Sequence, residues 1–520
     1  MDELDDPAMI LSQVAACFGN VGVTWSLFDG PPKTIYDYRG TVIHYIPSEA
    51  ENKLMIRENF EAACRQLLSQ GIITPTPDGG HCVHASFHKD ILTRMTLSVL
   101  ESRYAWATSL IYNKTPQQKD GHSIILQWPN AQQWLPSMTS LLDQAAEEFQ
   151  TMNSKTLFLL AECGRNWSVM LSEQGNYVDA EVIQRQAFMI NNRLVFDARL
   201  RYEQQDRSVY PKTTVIDYST LLLLHADLYS ILGTISIEQN LGLLAISRME
   251  KVRKLRTEAL EIQTHGNLKY IELQKEHINM AVHNVAASYI IADKPRQALS
   301  LLNDLQQKFK EQFRPRWRGN QALSLFQLNR LQEANELIDM ALASNASPWE
   351  MARFHFTKAN ILLHLPLPDI ELAEEALNDC LALRLQIIPN HPLTGLTYHK
   401  LGKLYQDQKR LSEASVAFSK AVNLLRPACT ECMANTATPT STRNTSTPSF
   451  ESTITTSALA IGENISRTSQ FKTSLPVTFL IRSLWAYSRA LYLQNRGQEA
   501  GKYQDEAYDL INSNAVLRPQ

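Results

Sequence analysis

The chain has 520 residues, 44% of them hydrophobic and 20% charged, a composition that excludes a disordered or fibrous protein and asks for more than one packed core. Its 19 glycines are about half the usual share of roughly 7%, which disfavours glycine-rich nucleotide-binding folds and β-rich folds and favours helices. Fifty basic residues against 53 acidic ones leave a formal charge of −3, so there is no bulk attraction to nucleic acid or to an anionic membrane.

The start, Met1 to Asp6, is acidic and no apolar signal-type core follows it, so a cytoplasmic protein with reduced thiols is expected, with the nucleus as the alternative. Seven scattered cysteines, an odd number, do not make a disulfide framework. From Glu49 to Gln70 the spacing predicts a helix with Phe60, Cys64, Leu67 and Leu68 on one face. Gly71-Ile-Ile73 then reads as a strand, Pro77-Asp-Gly-Gly80 as a tight turn, Cys82-Val83 as a second strand, and His84 to Leu100 as a following helix. Residues 1–100 are therefore expected to form a small α+β domain of winged-helix type. Residues 101–150, with Trp106, Trp128 and Trp134, form a connecting helical segment.

That order of helix, strand, turn and strand, followed by the Trp106 helix and Trp134-Leu-Pro136, resembles the winged-helix portion of signal-transducing NTPases of the NB-ARC or NACHT type, in particular fungal NLR-like proteins with tetratricopeptide tails. The departure is as informative as the likeness. Nowhere does a Gly-x-x-x-x-Gly-Lys-Ser/Thr loop occur, so a chain of this kind lacks the NTPase module and ATP-driven switching does not carry over.

From about residue 151 to 427 the dominant signal is an internal repeat. Tyr398, Leu401, Gly402 and Tyr405 precede a polar break, and Leu411, Ala414, Phe418 and Ala421 follow it before Pro427. Two amphipathic helices with small residues at their closest approach fit that spacing. The run resembles the tetratricopeptide repeat, and weaker copies hold the same register: Trp167 to Ala187, Val285 to Leu302, Ala322 to Ala341, and Ala359 to Cys380. Trp485, Leu491, Ala500 and Ala507 mark a terminal helix pair over 476–515. Residues 217–263 have helical periodicity without the small-residue register and read as longer irregular helices. The stretch 428–475 holds 20 Ser or Thr among its 48 residues and reads as a disordered linker. The fold class expected is mainly α, a tetratricopeptide-like helical-hairpin solenoid preceded by the winged-helix-like domain.

A search for chemistry gives little. His84 and His88 lie four apart on a helix, and Cys429-Thr-Glu-Cys432 has thiol spacing suited to zinc. Each lacks further ligands in view, so the bland reading is preferred and neither metal nor cofactor is expected. Arg248 to Arg256 and Arg314-Pro-Arg-Trp-Arg318 are local basic runs that could touch phosphate, but a salt-bridged helix face and a helix entrance account for them. On the expected DNA-reading helix, Lys89, Arg94 and Arg103 are offset by Asp90 and Glu101.

Binding is then the default role, through the inner groove that stacked hairpins create. Register places Arg165, Val169, His283, Ile290, Phe326, His399 and Lys403 on that inner face. The expected function is a non-catalytic adaptor or scaffold that holds a protein or peptide, with no membrane partner and with nucleic acid disfavoured. The alternatives are a regulatory remnant of an NLR-like protein, a DNA-binding transcription regulator, and an accessory protein of a biosynthetic pathway.

Overall fold

A computed structural model describes residues 6–30, 47–77, 79–117, 124, 127–147, 152–203, 216–262, 268–434 and 475–513. The chain divides into two compact units: Met1–Glu173, Asp179–Leu232 and Lys251–Ile278 form one, and Gln174–Val178, Gly233–Glu250 and Asn279–Gln520 the other.

The first unit opens with α1 (Asp6–Cys17), α2 (Trp25–Phe28), α3 (Glu49–Leu54) and α4 (Arg57–Ser69). Strands β1 (Ile73–Pro75) and β2 (His81–Val83) pair antiparallel, with Ile73 opposite Val83, and Val23 adds a single bridge to His81. The predicted hairpin is present; the two flanking helices are each broken. The 49–70 stretch stops at Met55 and restarts at Arg57. The 84–100 stretch ends at Arg94, where Thr96 caps a new helix through its side chain. The second pair is α5 (Ala85–Arg94) and α6 (Leu97–Lys114), followed by α7 (Trp128–Ala131) and α8 (Leu135–Glu147). A buried ion pair ties this unit together: Glu51, fully buried on α3, accepts from Arg103 on α6, which also donates to Gln13 on α1 at 2.9 Å. Arg103 is therefore a structural cation, not a DNA-facing one. The described strands amount to this hairpin and its bridge.

Helical hairpins follow: α9 (Ser154–Glu173) with α10 (Tyr177–Glu203), α11 (Tyr218–Glu238) with α12 (Gly242–Ile262), and α13 (Leu268–Ile291) with α14 (Pro295–Phe309). Then come α15 (Pro315–Gln327) with α16 (Leu331–Leu342), α17 (Pro348–His364) with α18 (Ile370–Ile387), and α19 (Pro392–Asp407) with α20 (Leu411–Ala434). The last pair is α21 (Leu475–Leu493) with α22 (Gly497–Ser513). Stretch 217–263, expected to be irregular, is an ordinary hairpin. Helix α11 is long and apolar enough by composition to cross a membrane, with a mean hydropathy of 1.5 over its most apolar window, but 72% of that window is buried, as in a core helix. Helix α20 continues through Pro427 to Ala434; the remainder of the Ser/Thr-rich stretch lies outside the described residues.

The turns explain why the hairpins recur. Asn240, Asp293, Asn329, Lys409 and Asn495 each sit at positive φ between 56° and 63°. In each turn that residue's N–H and the next one's fold back to carbonyls of the preceding helix, as in Asn329 to Phe326 and Arg330 to Leu325, which satisfies the helix end. Asn and Asp tolerate this left-handed conformation; lysine pays for it.

In the second unit the core runs as linked clusters, one per joint between hairpins. Ala298, Leu302 and Trp317 pack α13 to α15; Ala334, Ile338 and Phe354 pack α15 to α17; Ala359, Leu377 and Leu401 pack α17 to α19. Phe418, Leu425, Leu480 and Leu484 join α19 and α20 to the terminal pair. Gly402 shows why small residues are required: a Cβ there would lie 2.8 Å from the Phe418 ring.

Candidate functional site

Because the first helix of each hairpin recurs on one side of the array, side chains at equivalent turns of α13, α15 and α17 come together. His283 Nε2 accepts from Asn320 Nδ2 at 2.8 Å, while its Nδ1 lies 3.2 Å from Asn284 Oδ1; the tautomer that satisfies both bonds carries its proton on Nδ1. The imidazole stacks on Trp317 at 6.0 Å, and desolvation, helped by the Arg316 charge, pushes its pKa down to about 3. Asn320 Oδ1 in turn accepts from Arg353 Nη2 at 3.4 Å.

Around this row lie further charges. Arg316 Nε donates to Glu350 Oε1 at 3.1 Å. Burial would raise the Glu350 carboxyl, but Arg316 beside it and hydrogen bonds from Ser347 hold it below its ordinary range. Arg353 is exposed to solvent, yet the protein around it desolvates its guanidinium and, with Arg316, lowers its pKa. Glu238, held up by desolvation, is drawn back by Arg353 and Arg384. Arg384 itself is buried, donating to Leu393 O and to Thr397 Oγ1 at 2.7 Å. The result is a buried His283–Asn320 pair and a buried Arg384 behind one exposed guanidinium, that of Arg353, which suits the carbonyls and carboxylates of an extended chain.

The other inner-face positions divide sharply. Phe326 is partly buried, edge-on to His364 at 5.2 Å, and Lys403 is exposed. Ile290 is a core side chain. His399 is interior: its Nδ1 shares a 2.9 Å hydrogen bond with Ser483 Oγ, and burial first, then nearby cations, push its pKa down to about 3. Arg165 and Val169 lie in the first unit, where Arg165 pairs with Glu162 and Val169 is buried. Arg316, Asn320 and Arg353 were missed by the register argument because they flank the aromatic and small positions that define the repeat.

Other candidates are absorbed by structure. His84 caps α5, accepting from Ser86 N at 3.3 Å, and His88 Nε2 lies 2.9 Å from Ala16 O. Trp317, interleaved with arginines in the sequence, is 1% exposed and has no face for a nucleic-acid base. Arg248 donates to Ser236 Oγ at 2.7 Å, and Arg256 pairs with Asp227. Among the described residues no three His, Cys, Asp or Glu side chains gather as a metal site; the side chains of Cys429 and Cys432 lie outside the described residues.

No family model and no curated protein matches the chain. Solved structures do. The apo quorum sensor NprR from B. thuringiensis is 13% identical, with a TM-score of 0.35, covering 75% of this chain and 97% of its own. A Rap protein in complex with Competence and Sporulation Factor is 12% identical, with a TM-score of 0.36, covering 69% and 99%. Residues 41 to the end of MamA from Desulfovibrio magneticus are 15% identical, with a TM-score of 0.29, covering 46% and 97%. In their small-residue close approaches and recurring left-handed turns the hairpins described above are tetratricopeptide-like; the resemblance of the first 150 residues to NLR-like proteins is supported by no family model and no curated protein.

Proposed function

We propose that the protein is a non-catalytic adaptor that holds an extended peptide segment of a partner against Arg353, which the buried pair His283 and Asn320 supports from behind. The observation that carries this reading is Arg353: an exposed cation, its pKa lowered by the protein around it, and hydrogen-bonded through Asn320 to His283 across three successive hairpins. A guanidinium braced by a buried amide suits recognition of peptide carbonyls and carboxylates.

The test is a comparison of variants. Partners that co-purify with the full chain are identified by mass spectrometry, and peptides tiling them are titrated by fluorescence anisotropy. Arg353→Glu should weaken the binding peptides at least tenfold, whereas Lys254→Glu, an exposed charge on α12, should leave them unchanged. Equal affinity in all three proteins would remove the row from the binding surface.

A second reading attaches to the first unit. Helix α1, the Val23 bridge, helices α3 and α4, and the β1–β2 hairpin follow one another in winged-helix order, which would give α4 the recognition position. Its charges balance, with Arg57 paired to Glu61 and Glu58 and Arg65 beside them. Such a face favours a protein contact, as in an NLR-like regulator, over DNA. Salt-sensitive binding of duplex DNA by the full chain would reverse that preference.

A further inference from the structure

One cluster of charge in the second unit is used neither by the core nor by the row at Arg353. Lys400 lies on α19 and Arg482 on α21, and the His399–Ser483 hydrogen bond of 2.9 Å joins these two helices at the residues immediately beside them. Phe479 anchors the same joint, its ring 5.6 Å from His399 and 5.2 Å from the Arg482 guanidinium. The two cations therefore flank this joint, one on each helix, close enough for Arg482 to act on the Lys400 ammonium. Lys403 is one turn further along α19.

Like charges on facing helices should find counter-charges, and the two at this joint, Lys400 and Arg482, have none among the described residues. The groups that act on Lys400 are Arg482 and Lys403, both cations, after desolvation; on Arg482 desolvation acts alone. No ion pair joins Lys400 or Arg482 to a described carboxylate. Arg482 Nε is buried without a hydrogen-bond partner, an expensive omission for a charged donor. His399, the remaining titratable group at the joint, is neutral. Lys400 shows the cost directly, its ammonium pushed down to about 8 by desolvation and its neighbours.

We propose that Lys400 and Arg482 form a receptor for a dianionic phosphate group carried on a partner peptide. Two neighbouring positive charges match a dianion better than a carboxylate, and a guanidinium offers the forked donor geometry that phosphate oxygens accept. The proposal deepens the adaptor reading by naming the chemistry of the partner, and it rests on different residues, so the two can fail separately.

Two measurements test it on the full chain. The first is thermal: inorganic phosphate should raise the melting temperature of the native protein above that in sodium chloride of equal ionic strength. Lys400→Met and Arg482→Met, which keep most of the stem volume, should lose that increment. Because each variant removes an unpaired desolvated charge, neither should melt lower than the native protein in phosphate-free buffer. The second uses degenerate nonapeptide libraries with a central phosphoserine, serine or glutamate. The phosphoserine library should bind at least tenfold more tightly than the others, and each variant should abolish the difference. A phosphate increment that persists in the variants, equal binding of the glutamate library, or displacement of the phosphopeptides by single-stranded RNA at equal concentration would each overturn the assignment. If Arg353→Glu fails to weaken partner peptides while the phosphate effects appear as stated, the row falls and the receptor stands.

Discussion

Lys409 is the residue that departs from its own repeat. Four equivalent turns place Asn or Asp at positive φ, and this one places a lysine at 63°, where its Cβ crowds the following carbonyl. Lys409→Asn should therefore raise stability by about 0.5 kcal/mol, read as a shift in the urea midpoint with unchanged slope. Glycines give the complementary pair. Gly402→Ala drives a methyl into Phe418 at 2.8 Å and should cost about 1–3 kcal/mol. Gly501→Ala, within α22 and facing open space, should gain roughly 0.8 kcal/mol through helix propensity. At this scale the sequence was partly legible. The Gly402–Phe418 contact follows from register, whereas the burial of His283 and His399 does not, because a histidine on a helix reads as polar until Asn320 and Ser483 are seen to complete its hydrogen bonds.

Elements were legible where small and aromatic residues alternate strongly, and six hairpins could be read from that pattern. The seventh, α11 with α12, was hidden because its close approach uses Gly233 against Met249 in place of an alanine register. Asn240 was the available signal, a left-handed turn residue of the same kind as Asn329 and Asn495. Helix breaks at Met55 and Met95 were missed for a related reason: apolar periodicity runs across both, and only the Thr96 cap marks the second. The joint of α3 and α6 carries its own prediction. Arg103→Met would leave Glu51, fully buried, without its cation, and should destabilise the first unit by about 3 kcal/mol, an unpaired buried charge being the most expensive outcome. Hydrogen exchange of α1, α3 and α6 would report it.

For the whole molecule, buried neutral histidines set the response to acid. His283, His391 and His399 are each held at about 3, and His225 at about 4, by desolvation first, against about 6.5 in an unfolded chain. Above pH 6.5 neither state binds these protons. As pH falls from 6.5 toward 4 the unfolded chain takes them up and the folded one does not, so stability is lost on acidification at about 1 kcal/mol per histidine per pH unit. Denaturant titrations at pH 7 and pH 5 should differ accordingly, and His391→Gln should flatten the slope.

The terminal pair has a consequence for how the polypeptide can be divided. Helices α21 and α22 dock on α19 and α20 through Leu480, Leu484, Phe418 and Leu425, and Arg426 on α20 holds Glu506 on α22 by two bonds of 2.9 Å, although 40 residues, 435–474, separate α20 from α21 in the chain. Adhesion between these helices is thus independent of covalent continuity. Residues 1–434 and 475–520 produced as separate polypeptides should find each other and co-elute, and the shorter piece would then serve as a detachable clasp whose loss takes Arg482 away from Lys400.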